Sequence, residues 1–438
     1  MQPENHFSNL KEAEKQSFIN LAEYLIKQGG TARVSYAKLA DLGNISPAHA
    51  GRFLKEFEKQ GLIEVEAQKG RAGNLVTLKY YVYQGSLMTG RMPRRCPLYV
   101  RRKADEICEQ VLSSGQSVQG SLPFIRVKAA RGMGKSSLLI QIWDFLETEQ
   151  KHKIGFIDLN SNSFHLDLFE DLDQLLYVFT EEIVKAFKDA INGANPPDLG
   201  LVWSKHKYRS PGSKCTMYLQ EYVFSKIKGE KTLLIDGIDQ VLGKNAVQTE
   251  FLNLLRTWYE EKMKNVSNTK LVWSNIVIAY STEPYLDNDV HVSPLTNVGT
   301  PVDLGEFSSE EILNLAKRYG LNWFSLEEVS LLENLIGGHP TLINRALYEI
   351  SKRDISLAEL ESQATQLDSP FADYLLEYLE LLLKNDELAE CLKKIIKQEK
   401  VQNEFAVFQL LKAGLIKVDQ QGQKIYCELY RRYLTQHL

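Results

Sequence analysis

The chain lacks the features that would place it in several large classes. It has five cysteines in 438 residues (Cys96, Cys108, Cys215, Cys391 and Cys427), none at CxxC spacing. A scattered odd set argues against a disulfide framework and against a zinc site. No apolar run reaches the ~20 residues that span a bilayer, so no membrane partner is expected. Met1 to Asn9 is polar, so no secretory leader is expected and the reducing cytoplasm is the expected compartment. No solenoid repeat recurs. Outside one stretch there is no Ser-His-Asp, HExxH or other hydrolase constellation.

A strong overall charge is also missing: the total is −4. Its distribution is uneven. Residues 1–85 hold eleven Lys/Arg and nine Asp/Glu, net +2, and residues 86–103 hold five Arg, one Lys and no acid, net +6. The rest of the chain must then carry −12. A basic front on an acidic body suits an anionic partner at that end. Length and a 44 % hydrophobic content allow about two or three domains.

The one stretch with chemistry written into it is Ala129-Ala130-Arg131-Gly132-Met133-Gly134-Lys135-Ser136-Ser137. It follows an apolar run, Phe124 to Val127, that reads as a strand, and opens an amphipathic run, Leu138 to Leu146, that reads as a helix. That is the layout of a phosphate-binding loop, with Ala129 where the usual G-x-x-x-x-G-K-[ST] begins. Its glycines let backbone N–H groups close round a polyphosphate. Lys135 would reach the β- and γ-phosphates, Ser136 would hold Mg²⁺, and the helix N-terminus adds partial positive charge.

Asp236 ends the apolar strand Thr232-Leu233-Leu234-Ile235, 101 residues after Lys135. A carboxylate there can hold Mg²⁺ through water, opposite the Ser136 hydroxyl, as in a Walker B segment. The neighbouring position, often a glutamate that orients the attacking water, is Gly237. Asp239 is the nearest candidate base, or else it caps the helix that follows. Weak or partner-dependent hydrolysis is therefore expected. Ser281 and Thr282 close the next core strand, where a hydroxyl can sense the γ-phosphate or cap the strand end. Arg256 reads either as an arginine finger or as a surface arginine. Gly337-Gly338-His339-Pro340 brings backbone close to a ligand and starts a helix; His339 reads as a nucleotide contact or a cap.

Three helices are expected in the front segment, at 9–28, 35–42 and from Ser46-Pro47 to Gly61, followed by a strand–turn–strand. That pattern is a winged helix-turn-helix. Its third helix offers Arg52, Lys55 and Lys59, and its wing Lys69 and Arg71, to DNA. Glu56 and Glu58 on the same helix fit docking to an effector protein equally, so both partners stay open. The Arg91–Lys103 cluster extends a DNA surface or straps into the nucleotide site. The expected organisation is a winged helix over 1–83, a basic linker over 84–103, a P-loop core over 104–305, a helical lid over 306–384 and a second winged helix over 385–438. The valine- and isoleucine-rich core strands are those of a parallel α/β sheet covered on both faces.

From about Pro97 to Leu434 the chain resembles the bacterial AAA-like family abundant in cyanobacteria, P-loop ATPases near the STAND class and origin-recognition AAA+ proteins. The resemblance rests on Pro97-Leu98-Tyr99-Val100-Arg101, Arg131 to Leu139, Leu255 to Glu260, Ser293 to Gly299, Gly337 to Pro340 and Leu429 to Tyr433. It implies ATP or ADP with Mg²⁺, the adenine held between Tyr99–Arg101 and Gly338–Pro340. It also implies a nucleotide-gated switch, in which ADP holds a closed form and ATP an open, assembling homo-oligomer. The departure is Gly237, where relatives near in sequence usually have glutamate; Asp236 to Asp239 resembles instead the Asp-Gly-x-Asp of other STAND branches. The expected function is such a switch. The alternatives are a DNA-loading or transposition-type AAA+ ATPase, and a DNA-binding transcription regulator with a structural ADP-bound core.

Overall fold

The computed structural model describes residues 10–27, 31–60, 62–66, 73–78, 87–88, 90–114, 123–193, 195–264, 273–281, 294–295, 297–353, 355–419 and 422–438. The chain divides into two compact units, one of residues 1–100, 306–410 and 415–438, the other of residues 101–305 and 411–414.

The front of the first unit starts with α1 (Glu12–Lys27), β1 (Thr31–Val34), α2 (Tyr36–Gly43) and α3 (Pro47–Lys59). The Ser35 hydroxyl caps α2 by accepting from the Lys38 N–H at 3.1 Å. Proline at the first position of α3 follows Ser46, as a pre-set φ favours. Phe18, Leu21 and Leu25 of α1 meet Ala50, Phe53, Leu54 and Phe57 of α3 in one small core. The hairpin β2 (Ile63–Glu66) and β3 (Asn74–Leu78) joins β1 in an antiparallel sheet of order β1-β3-β2. Strand β1 is the addition to the sequence expectation: Thr-Ala-Arg-Val carries too little apolar pattern to stand out from a loop.

The second unit runs α4 (Lys103–Ser114), β4 (Phe124–Lys128), α5 (Lys135–Thr148), β5 (Lys153–Asp158), α6 (Leu172–Ala186), α7 (Leu199–Lys205), α8 (Pro211–Tyr218), β6 (Lys231–Asp236), α9 (Gln248–Lys264), β7 (Asn275–Tyr280) and β8 (Thr300–Asp303). Its five strands form a parallel sheet of order β5-β6-β7-β4-β8. Every residue of β6 and β7 is buried, which only a sheet covered on both faces requires. Alternation assigns the faces. Leu234, Val277 and Val127 pack with Cys108, Leu138, Leu139 and Ile142 from α4 and α5. Leu233, Ile235, Ile276 and Ile278 pack with α6, α8 and α9 on the other side.

Three local findings differ from the sequence pattern. The edge strand β8 buries only Val302 well and so gives no apolar run. The polar stretch around Trp203 to Gly212 is partly helical, because Asp198 and Ser210 cap α7 and α8. Beyond Tyr218 the α-helix gives way to a π-helical turn over Leu219–Val223 and a tighter turn over Phe224–Lys226.

The rest of the chain is α10 (Ser309–Arg318), α11 (Leu326–Ile336), α12 (Pro340–Arg353), α13 (Leu357–Gln363), α14 (Ala372–Leu383), α15 (Asp386–Ile396), α16 (Glu404–Ala413), β9 (Ile416–Asp419), β10 (Gly422–Ile425) and α17 (Glu428–His437). Capping boxes at Ser308/Glu311, Ser325/Glu328 and Ser356/Glu359 open α10, α11 and α13. Strands β9 and β10 pair antiparallel. Among the described residues no helix is long and apolar enough to cross a membrane.

Candidate nucleotide site

The sheet order decides what meets at the site. Strand β7 lies between β4, which feeds the phosphate loop, and β6, which ends in Asp236. Lys128 is level with Tyr280, so Ser281 emerges beside the start of the loop. The Ala129 N–H donates to the Tyr280 carbonyl at 3.4 Å.

The loop then turns into α5. Gly134 caps the helix with φ +92°, a left-handed conformation that glycine adopts without strain. A Cβ there would stand 3.0 Å from Arg102 Nη2. Arg102 is buried and donates through Nη1 to the Met133 carbonyl at 2.9 Å and the Gly305 carbonyl at 3.2 Å. It braces the loop from below. Its neighbour Arg101, one of the expected nucleotide contacts, forks onto the carboxylate of Glu109 at 2.9 and 2.8 Å.

Lys135 is the centre of the site. Its ammonium donates to the Ala129 and Ala130 carbonyls at 3.0 and 3.1 Å and to Ser281 Oγ at 3.2 Å. Ser281 in turn donates to Asp239 Oδ2 at 3.1 Å, and its backbone N–H to Oδ1 at 2.8 Å. Burial holds the Lys135 amine below the ordinary lysine range; Asp239 and Asp236 oppose that shift and Arg131 adds to it. The loop thus curls round a cation whose carbonyl partners a phosphate oxygen can replace.

Asp236 is buried, and the Gly237 N–H donates to its Oδ1 at 3.0 Å. It lies two residues past Leu234, so it shares the α5 face, where Ser136 stands in the first turn. A hydroxyl and a carboxylate are the hard oxygen donors that Mg²⁺ takes, so the residues present fit that ion. Gly237 has φ +77°, and a Cβ there would fall 2.3 Å from Asn160 Nδ2. Asn160 follows β5 and is held on both poles. Its N–H and Nδ2 donate to Asp158 Oδ1 at 2.9 and 3.0 Å, and its Oδ1 accepts from Gln240 Nε2 at 2.8 Å.

The remaining expected residues are placed as follows. Arg131 is exposed, and Met133 and Ser137 are buried. Arg256 sits on α9, half exposed, paired with Glu260 at 2.7 Å and with the Pro294 carbonyl at 3.3 Å. Thr282, Lys69 and Arg71 lie outside the described residues. Tyr99, His339 and Pro340 belong to the first unit and are buried there. The Tyr99 carbonyl accepts from Arg318 at 2.8 Å. The His339 ring lies edge-on to Tyr374 and Tyr426, and its Nδ1 accepts from the Leu342 N–H at 3.5 Å, a cap on α12. Arg52, Lys55 and Lys59 stand exposed along one side of α3. Sequence reasoning missed the roles of Arg102 and Asn160. The only sequence signal for Asn160 is a polar side chain just past the strand beside Asp236.

The family model for the AAA-like domain matches residues 87–436. Among solved structures, a Walker-type ATPase of Pyrococcus abyssi is 15 % identical, with a TM-score of 0.54, over 80 % of this chain and 99 % of that one. Cdc6p of Pyrobaculum aerophilum is 13 % identical, with a TM-score of 0.40, over 77 % and 95 %. The RuvB Holliday junction branch migration motor of Thermotoga maritima is 15 % identical, with a TM-score of 0.35, over 76 % and 93 %. No curated protein matches the chain.

Proposed function

The chain belongs to the AAA-like domain family, and from that premise we propose that it is an ATP-binding molecular switch with slow hydrolysis. The observation that carries the reading is the run Lys135–Ser281–Asp239 beside Asp236 and Ser136. Arg131 to Ser137 would wrap the phosphates, with the Lys135 ammonium on the β- and γ-oxygens. Ser136 and Asp236 would hold Mg²⁺, which supplies charge neutralisation at the phosphates. Ser281 joins the lysine to Asp239, so an arriving γ-phosphate competes for the same hydrogen bonds. Its presence or absence therefore changes how the ends of β6 and β7 are tied together.

Slow turnover follows from Gly237, which supplies no carboxylate, and from Asp239, whose two oxygens are occupied by Ser281. The switch would couple nucleotide state to assembly and to a partner of the N-terminal module, read here as a winged helix. A duplex-DNA partner is favoured by the exposed Arg52, Lys55 and Lys59 on α3. Identification of the nucleotide that co-purifies, followed by mass photometry with ADP and with ATP, tests the switch. Different masses in the two nucleotides are expected; one mass in both contradicts it.

A further inference from the structure

We infer that Asn160 takes over the water-positioning task for which Gly237 has no side chain. The inference rests on the ATPase reading above. The volume in which a side chain at 237 would begin is filled by the Asn160 amide, since a Cβ would lie 2.3 Å from Nδ2 and 3.0 Å from Cγ. The residue reaches that place from the neighbouring strand. Asp158 is in register with Asp236 across β5 and β6, and Asn160 stands two residues beyond it.

The amide is oriented, not loose. Asp158 Oδ1 takes both the backbone N–H and Nδ2, which fixes the Nδ2 pole toward β5. Gln240, on the turn after Gly237, donates to Oδ1 at 2.8 Å. An amide oxygen has two lone pairs, so one is left to accept from a water. Asn160 is exposed, so water reaches it. A side chain locked by two partners on two elements is what positioning a nucleophile demands.

The chemistry differs from that of a carboxylate in one respect. An amide orients a water but does not hold its proton. In the step, the water oxygen forms the new P–O bond and the bond from the γ-phosphorus to the β–γ bridging oxygen breaks. The bridging electron pair stays on ADP. Both water protons remain on the phosphate that leaves, giving ADP and dihydrogen phosphate with no base on the protein. Turnover is slow for that reason, and residue 160 contributes no titrating group.

Four proteins test this: wild type, Asn160→Ala, Asn160→Asp and Gln240→Ala, each checked for folding and for ATP affinity. Asn160→Ala is expected to lower kcat by about tenfold or more with ATP affinity within about twofold. Gln240→Ala should lower it less, because the amide keeps its Asp158 anchor. Asn160→Asp sets a second carboxylate against Asp158 Oδ1 and is expected to lose stability and kcat at neutral pH, with stability recovered as the pair takes up a proton at lower pH. Trapping of ADP with aluminium fluoride, which mimics the phosphoryl group in transfer, reads the same interaction without turnover; Asn160→Ala should weaken the trapped complex and leave ADP binding intact. Wild-type kcat and trapping in Asn160→Ala overturn the inference and leave nucleotide binding standing. A wild type that fails to bind ATP overturns the ATPase reading, and the inference with it.

Discussion

Lys135 Nζ lies 3.2 Å from Ser281 Oγ, and that same hydroxyl donates to Asp239. The phosphate loop and the turn after β6 are therefore linked through the end of the strand between them. Removing the hydroxyl cuts the link and leaves Lys135 its two loop carbonyls. Ser281→Ala is expected to destabilise the protein by about 3 kcal/mol or more, since it removes two hydrogen bonds to charged groups worth about 1.5–3 kcal/mol each. Asp239 keeps the Ser281 backbone N–H. ATP affinity should fall several-fold more than ADP affinity, measured side by side by calorimetry. Equal losses for both nucleotides would separate Ser281 from the γ-phosphate.

Gly237 cannot be repaired by restoring a glutamate. Its φ is +77°, which costs a side-chain-bearing residue about 1–2 kcal/mol, and the Cβ would strike Asn160. Gly237→Glu is expected to lower the thermal midpoint and not to raise turnover. A stable, faster Gly237→Glu enzyme would contradict the geometry described for this turn. The sequence shows only that the usual glutamate position holds glycine; spacing does not report backbone conformation.

That example shows where legibility ends. The phosphate loop and Asp236 are readable because a linear motif and an apolar strand end each sit in one short stretch. Asn160 and Gly237 are 77 positions apart and meet only because β5 and β6 pair in register. Arg101 and Arg102 look alike in a basic run. Which of them turns inward depends on where α4 starts and on the path of the loop at Met133. Strand β8 hides for another reason: an edge strand of four residues with one well-buried side chain has no hydrophobic signature.

The cysteines give a prediction independent of the nucleotide. All five are free and buried. Burial raises the thiols of Cys96, Cys108 and Cys391 above the ordinary range and pushes Cys215 and Cys427 up to about 12. Thiolate is the reactive form, so a thiol reagent at neutral pH should label the native protein slowly and all five sites promptly after unfolding. Rapid labelling of native Cys215 would show that the core of the second unit opens readily.

On the front module, reversing Arg52 and Lys55 to glutamate is expected to abolish binding to mixed duplex DNA while leaving ATP affinity unchanged. Wild-type binding should weaken steeply with salt, since each neutralised phosphate releases counterions. Fluorescence anisotropy of the full chain at several salt concentrations checks both. No binding at low salt would leave an effector protein as the partner of this face.

The Lys135 amine also makes nucleotide binding pH-dependent. Its folded-state pKa lies below the usual 10.5, so the unfolded chain holds the proton better. Stability of the nucleotide-free protein is expected to rise with pH between the folded value and 10.5. A bound polyphosphate favours the charged form, so ATP affinity should fall, with proton uptake on binding, as pH climbs through that same window. The most direct test of the nucleotide site is calorimetric titration of ATP and ADP into wild type and Lys135→Ala at neutral pH. The substitution is expected to weaken both by about tenfold or more, from a charge-assisted contact of about 1.5–3 kcal/mol. Unaltered binding in Lys135→Ala would contradict the assignment of this loop to phosphate.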